Sequence, residues 1–151
     1  MATMGWRYLS GPVEVQTFLE DTTAGSFNAG ELVSLSSGEL IIAAGYVDLL
    51  GVALKASVGT VSSKIPVMII NPLQRWVAES STTTTAAMVG TQCQLTVTAD
   101  AQCVSVASTT TDGGVVIEAL DPRDGAHTGS GGRLIVRFAG GACVMDGVGA
   151  A

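Results

Sequence analysis

Charge is the scarcest feature of this 151-residue chain: only 13% of its residues are Asp, Glu, Lys or Arg. An ordinary soluble domain carries about twice that share. Aromatics make up 5%, prolines number four, and there is a single histidine. The longest apolar stretch, Leu40–Val47, falls far short of the ~20 residues that a spanning helix needs, which predicts no membrane insertion. No basic segment followed by an apolar one opens the sequence, so a chain without a secretion signal, made in the cytoplasm, is expected. The net charge of −6 leaves no basic face for nucleic-acid phosphates. Disorder is excluded too, because 47% of the residues are hydrophobic.

What is present points to strands. Eighteen Val, sixteen Thr and nineteen Gly dominate, whereas the straight-chain helix formers are scarce. β-branched side chains suit a pleated surface and glycines suit the turns between short strands, so the predicted class is all-β. The charge shortage adds a second expectation. A small monomer keeps itself soluble with a surface about a quarter to a third charged. This chain cannot supply that, so much of its surface is expected to be covered by other protein, in an oligomer or a larger assembly.

The pattern divides the chain into five parts. Residues 1–11 carry Trp6, Arg7 and Tyr8 without periodicity and read as an N-terminal arm. Residues 12–71 form a first β half, with hairpin chemistry at Ser36-Ser37-Gly38 and a strand Lys64–Ile70. Pro66 inside that strand suggests an edge or a bulge. Residues 72–89 read as a linker with a Thr-rich loop, in which Thr85–Met88 allows one helical turn. Residues 90–138 form a second β half, in which Leu134, Val136 and Phe138 alternate with polar or outward positions. Residues 139–151 are a Gly/Ala-rich tail expected outside the core.

The two halves also resemble each other. GELVSL at Gly30–Leu35 matches GTQCQL at Gly90–Leu95, GVAL ending at Leu54 matches VIEAL ending at Leu120, and KIPVMII at Lys64–Ile70 matches GRLIVRF at Gly132–Phe138. Order is kept throughout. This predicts two similar small barrels or sandwiches in tandem from an internal duplication; the alternative is one larger barrel with repetitive hairpins.

Residues that could carry chemistry are few. His127 would have to serve any Ser-His-Asp or Cys-His arrangement, but it stands in a Gly/Ser/Thr loop that offers a base no rigid support. Asp112, Asp121 and Asp124 could in principle hold a hard cation, yet DPRDG is turn chemistry and lacks the alternating ligands of a calcium loop. GSGG at Gly129–Gly132 precedes a strand rather than a helix and lacks the Lys-Ser/Thr of a phosphate loop. Cys93, Cys103 and Cys143 have no metal-ligand spacing and read as free thiols, with Cys93 and Cys103 on opposite sheet faces. No catalytic, cofactor or metal site is expected. Trp76 reads as a packed residue at a strand end. Trp6, Arg7 and Tyr8 are residue types that anchor interfaces, and they are the candidate partner contacts.

The strand and turn segments AGELVSL, GVAL, VGTQCQLTV, IEALDPRDG and GGRLIVRF, spread from Phe27 to Phe138, resemble those of head decoration (cement) proteins of tailed bacteriophages. The second half is the closer match. The resemblance implies a non-catalytic structural protein on the exterior of a virion, bound to the major capsid protein, clustered as a homotrimer, with an N-terminal arm reaching over neighbours. It implies no cofactor and no small-molecule substrate. Two other classes fit length and fold. One is a small trimeric β-rich nucleotide hydrolase, suggested only by GSGGR at Gly129–Arg133. The other is a carbohydrate-binding or tail module, for which exposed aromatics are too few.

Overall fold

The computed structural model describes residues 5–21, 26–43, 45–59, 63–97 and 102–143. Residues 1–4 of the expected arm and 144–151 of the expected tail lie outside the described residues. The fold is all-β, as composition predicts, with no α-helix among the described residues. Its strands are β1 (Arg7–Ser10), β2 (Val15–Leu19), β3 (Leu32–Ser36), β4 (Glu39–Ile42), β5 (Gly51–Ala53) and β6 (Lys64–Ile69), then β7 (Arg75–Glu79), β8 (Gln92–Val97), β9 (Gln102–Thr109), β10 (Val115–Leu120) and β11 (Arg133–Phe138). Two single 3-10 turns, Ala86–Met88 and Gly140–Ala142, punctuate them.

The strands form two antiparallel sheets, ordered β2-β6-β5-β3-β4 and β1-β7-β11-β10-β8-β9. Setting β1 aside, both sheets read first, fifth, fourth, second, third within their own half. Register agrees as well. Thr17 faces Pro66 as Val77 faces Ile135, Leu32 faces Val52 as Gln92 faces Val116, and Leu35 faces Leu40 as Leu95 faces Val104. Each sheet curls until its first and third strands touch, through the parallel bridges Glu20–Leu40 and Ser80–Val104. The segments matched by sequence, GVAL in β5 and VIEAL in β10, hold the same place in their sheets.

Three expectations are corrected. β7 lies inside the expected linker, and its Trp76, Val77 and Ala78 are all buried. A central strand buried on both faces shows no alternation, so the period-2 signal was missing. Pro66 is not at an edge, because β6 runs between β2 and β5. It is tolerated since β5 is only three residues long and its last pairing is Ala53 with Val67. The missing N–H therefore falls just past the end of β5. The start of the tail belongs to the core: Ala142 and Cys143 are fully buried, and Cys143 bridges to Leu49.

Alternation places the core as the sequence implies. Leu134, Val136 and Phe138 are fully buried, as are Cys93 and Val104. The larger cluster is shared between the halves: Trp6, Leu32, Leu49, Val52 and Ile70 pack with Trp76, Ile117, Val136 and Phe138. A smaller cluster, including Val33, Leu40, Ile65 and Val67, fills the first half alone.

Candidate interaction surface

Of the three candidate contacts, Trp6 is the one the structure removes from the surface. Only 4% of it is exposed, its ring lies 5.2 Å from Phe138, and its backbone N–H donates to Gly30 O at 2.8 Å. The segment expected as an arm is instead built into the fold as β1, paired antiparallel to β7. Trp6 stands just before β1, whose four residues are too few to show an alternation. The indole Nε1 is the single buried side-chain nitrogen or oxygen among the described residues without a hydrogen-bond partner.

Arg7 and Tyr8 stay exposed. The register shifts between Tyr8 and Ser10, a bulge at Leu9 that turns the edge strand outward. Tyr8 stands edge-on to Trp76, with centroids 5.8 Å apart, and its hydroxyl donates to Gly11 O. Next to this strand is a shallow groove of about 330 Å³ lined by Arg7, Tyr8, Leu9, Val77, Asp121 and Arg123. Val13, Val15 and Leu19, in and before β2 of the other sheet, are also exposed.

The DPRDG turn forms the charged wall. Asp121 is buried and accepts from Arg123 N and Nε at 3.0 Å and from Nη2 at 2.5 Å. Asp124 accepts from Arg133 N at 2.9 Å, Nε at 2.8 Å and Nη2 at 2.5 Å. The arginine hydrogen bonds hold both carboxyls below their ordinary value of 3.8, against the opposing pull of desolvation. Each carboxylate is thus committed to a guanidinium. Arg133, the one cation of the GSGGR segment, is likewise committed, which is a structural use rather than a phosphate-binding one.

The remaining sequence candidates are scattered. Asp112 sits in the turn before β10, whereas Asp121 and Asp124 follow that strand. His127 is half-buried; its backbone N–H donates to Thr84 O and Oγ1, so the loop is pinned to the Thr-rich run. Gly129 N likewise donates to Thr83 Oγ1 at 2.9 Å. The three cysteines are buried thiols, and burial pushes the Cys103 thiol up from its ordinary value, away from the reactive thiolate. Among the described residues no three His, Cys, Asp or Glu side chains gather as a metal site.

Sequence reasoning missed the buried polar residues. Gln74, Gln102 and Glu20 are nearly or fully buried. The Glu20 carboxylate accepts from Val58 N and Gly59 N at 2.7 and 2.9 Å. The Gln102 amide pairs with both backbone groups of Leu32, at 2.5 and 3.1 Å, across the junction of the halves. No periodicity marks such positions, since each is defined by a partner distant in sequence. No protein-family model matches the chain, and no curated protein matches it.

Proposed function

We propose that the chain is a non-catalytic structural protein that seats on the outside of a tailed-phage capsid lattice and stabilises it. The observation that carries this reading is the exposed run Arg7, Tyr8 and Leu9 on the bulged edge strand β1, beside a shallow groove. Exposed apolar side chains gathered in this way mark interaction sites on soluble proteins. Tyr and Arg are the residue types that carry interface energy. The strand and turn segments that resemble head decoration proteins supply the partner, the major capsid protein, and a homotrimeric cluster. The common register of the halves fits an origin by internal duplication.

Such a protein works by linkage. Binding only the expanded shell stabilises it by RT ln(1 + [L]/Kd) per site, and clustering multiplies the gain through avidity. The test is co-sedimentation with expanded and unexpanded shells, followed by heating of decorated and bare shells. Selective attachment and a raised rupture temperature are the expected results. Equal attachment to both shells, or none, overturns the proposal. Hits on a glycan array or hydrolysis of nucleotides would instead favour the sugar-binding or enzymatic class.

A further inference from the structure

The shared register of the two halves exposes a difference between them. In the second half β7 carries β1 along its outer edge, with Arg7 opposite Val77 and Tyr8 opposite Trp76. The equivalent strand of the first half, β2, pairs along its length with β6 and meets β4 just past its end through Glu20 and Leu40, and the place corresponding to β1 holds no strand among the described residues. Both halves fold to the same order, yet among the described residues only one carries a further strand along its outer edge.

The open edge is unguarded. Natural edge strands are protected by charge, proline, a bulge or a covering element. Val15-Gln16-Thr17-Phe18-Leu19 contains no charged residue and no proline, and its register with β6 is continuous. Ile69 N donates to Glu14 O at 2.9 Å and Glu20 N donates to Ser63 O at 3.2 Å, so even-numbered residues turn their backbone groups toward β6. By alternation the N–H and C=O of Val15 and Thr17 face away from the sheet. Val13, Val15 and Leu19 are among the exposed large hydrophobics of the chain, and Thr17 is exposed beside them.

We infer that the occupant of this edge is β2 of a second copy, paired antiparallel about a two-fold axis at Gln16. The pairing is self-complementary. It sets Val15 opposite Thr17 of the other copy in both directions, so all four outward backbone groups on each side find partners. β4 meets the chain at Glu20 and Asp21, so the shared ladder is confined to the Val15–Thr17 part of the edge. It brings no like charges together within the strand, as a charged β2 would. The result is one continuous sheet of ten strands through two first halves, an isologous contact. The inference rests on the structure of β2 and not on the capsid reading. If three-fold clusters form on a shell, this contact links one cluster to the next, and the crowding of copies on a surface favours it.

The symmetric pairing puts Gln16 opposite itself in a non-hydrogen-bonded pair, where Cα atoms stand about 4.5 Å apart, within disulfide range. The full chain carrying Gln16→Cys is therefore expected to form a covalent dimer under mild oxidation at high protein concentration. A control with Ser37→Cys, on the exposed β3–β4 turn, is expected to stay uncross-linked. Adding Thr17→Pro to the Gln16→Cys chain removes an outward N–H without touching a bond to β6, and should abolish the cross-link. Thr17→Lys, which guards the edge by charge, should do the same if the proline variant fails to fold. Cross-linking of Gln16→Cys no faster than the Ser37→Cys control, or cross-linking that survives both Thr17 substitutions, overturns the inference. Shell attachment of the Thr17→Lys chain is scored separately, so loss of the two-fold contact with attachment retained leaves the capsid reading intact.

Discussion

Gln74 is wholly shielded from solvent, and its amide is used on every side. Oε1 accepts from Asn71 N and from Trp76 Nε1, both at 3.2 Å, while Nε2 donates to Pro12 O at 2.8 Å and Ile69 O at 3.0 Å. One side chain thus ties the segment before β2, the end of β6 and the start of β7. Gln74→Leu keeps the volume but takes the partner from four polar groups, those of Ile69 and Trp76 in buried contacts. A loss of about 2–4 kcal/mol in urea-denaturation stability is expected, since each buried group left unpaired costs about 1–3 kcal/mol before relaxation. The DPRDG turn behaves differently because its groups titrate. Asp121 and Asp124 are held below their ordinary value by arginine hydrogen bonds. A group with a depressed folded value binds protons more readily when unfolded, so its stabilisation is fully present above the unfolded value near 4 and is lost as pH falls through the folded value. The thermal midpoint should therefore drop as pH is lowered below about 4, and Asp124→Asn should make that drop shallower while lowering the midpoint at neutral pH. A midpoint profile unchanged by Asp124→Asn would remove the pair from the acid response.

At the scale of elements, the junctions rather than the strands are where substitution should bite hardest. Gly114 has a φ of +70°, its N–H donates to Tyr46 O at 2.8 Å, and its carbonyl accepts from Ala139 N at 3.0 Å. A Cβ there would stand 2.0 Å from Cys93 O. Gly129 has a φ of +82° but open space around it. Gly129→Ala should cost about 1 kcal/mol of backbone strain, whereas Gly114→Ala, which must also move a backbone carbonyl, should cost several times more. β1 offers a parallel contrast. Trp6→Ala should cost about 3–5 kcal/mol, because it empties a core position against Phe138. Arg7→Ala, at the next and exposed position, the first of β1, should leave the thermal midpoint within experimental scatter and, on the capsid reading proposed above, weaken attachment to the shell. The sequence made β8, β9, β10 and β11 legible through alternation, and the Ser37-Gly38 turn through left-handed chemistry confirmed by φ values of +50° and +83°. β1 and β7 were illegible for opposite reasons. β1 is too short and bulged to show a period, and β7 is buried on both faces, so its apolar residues run together. The candidate surface was half legible: residue type flagged Arg7 and Tyr8, but nothing local distinguishes a tryptophan aimed at a partner from one aimed at Phe138.

Taken whole, the molecule has two topologically similar halves but does not have two independent cores. The larger cluster draws Trp6, Leu32, Leu49, Val52 and Ile70 from before β7 and Trp76, Ile117, Val136, Phe138 and Cys143 from β7 onward. Backbone bonds cross the same boundary, with Leu49 N donating to Ala142 O at 2.7 Å and Gly114 N to Tyr46 O. The Gln102 amide closes on both backbone groups of Leu32. Separating the halves would expose the aromatic stack of Trp6, Trp76 and Phe138 together with these polar groups, costs that neither half recovers alone. Tandem repeats joined only by a linker unfold in separate steps, whereas units that share a core unfold together. The chain should therefore melt in one cooperative transition, with calorimetric and van't Hoff enthalpies equal. Residues 5–71 and 72–143, expressed apart, should each lack a sigmoidal transition, and mixing them should restore one. Two resolved transitions in the intact chain, or a half that melts cooperatively by itself, would show that the shared cluster is a contact between two finished domains and not the core of one.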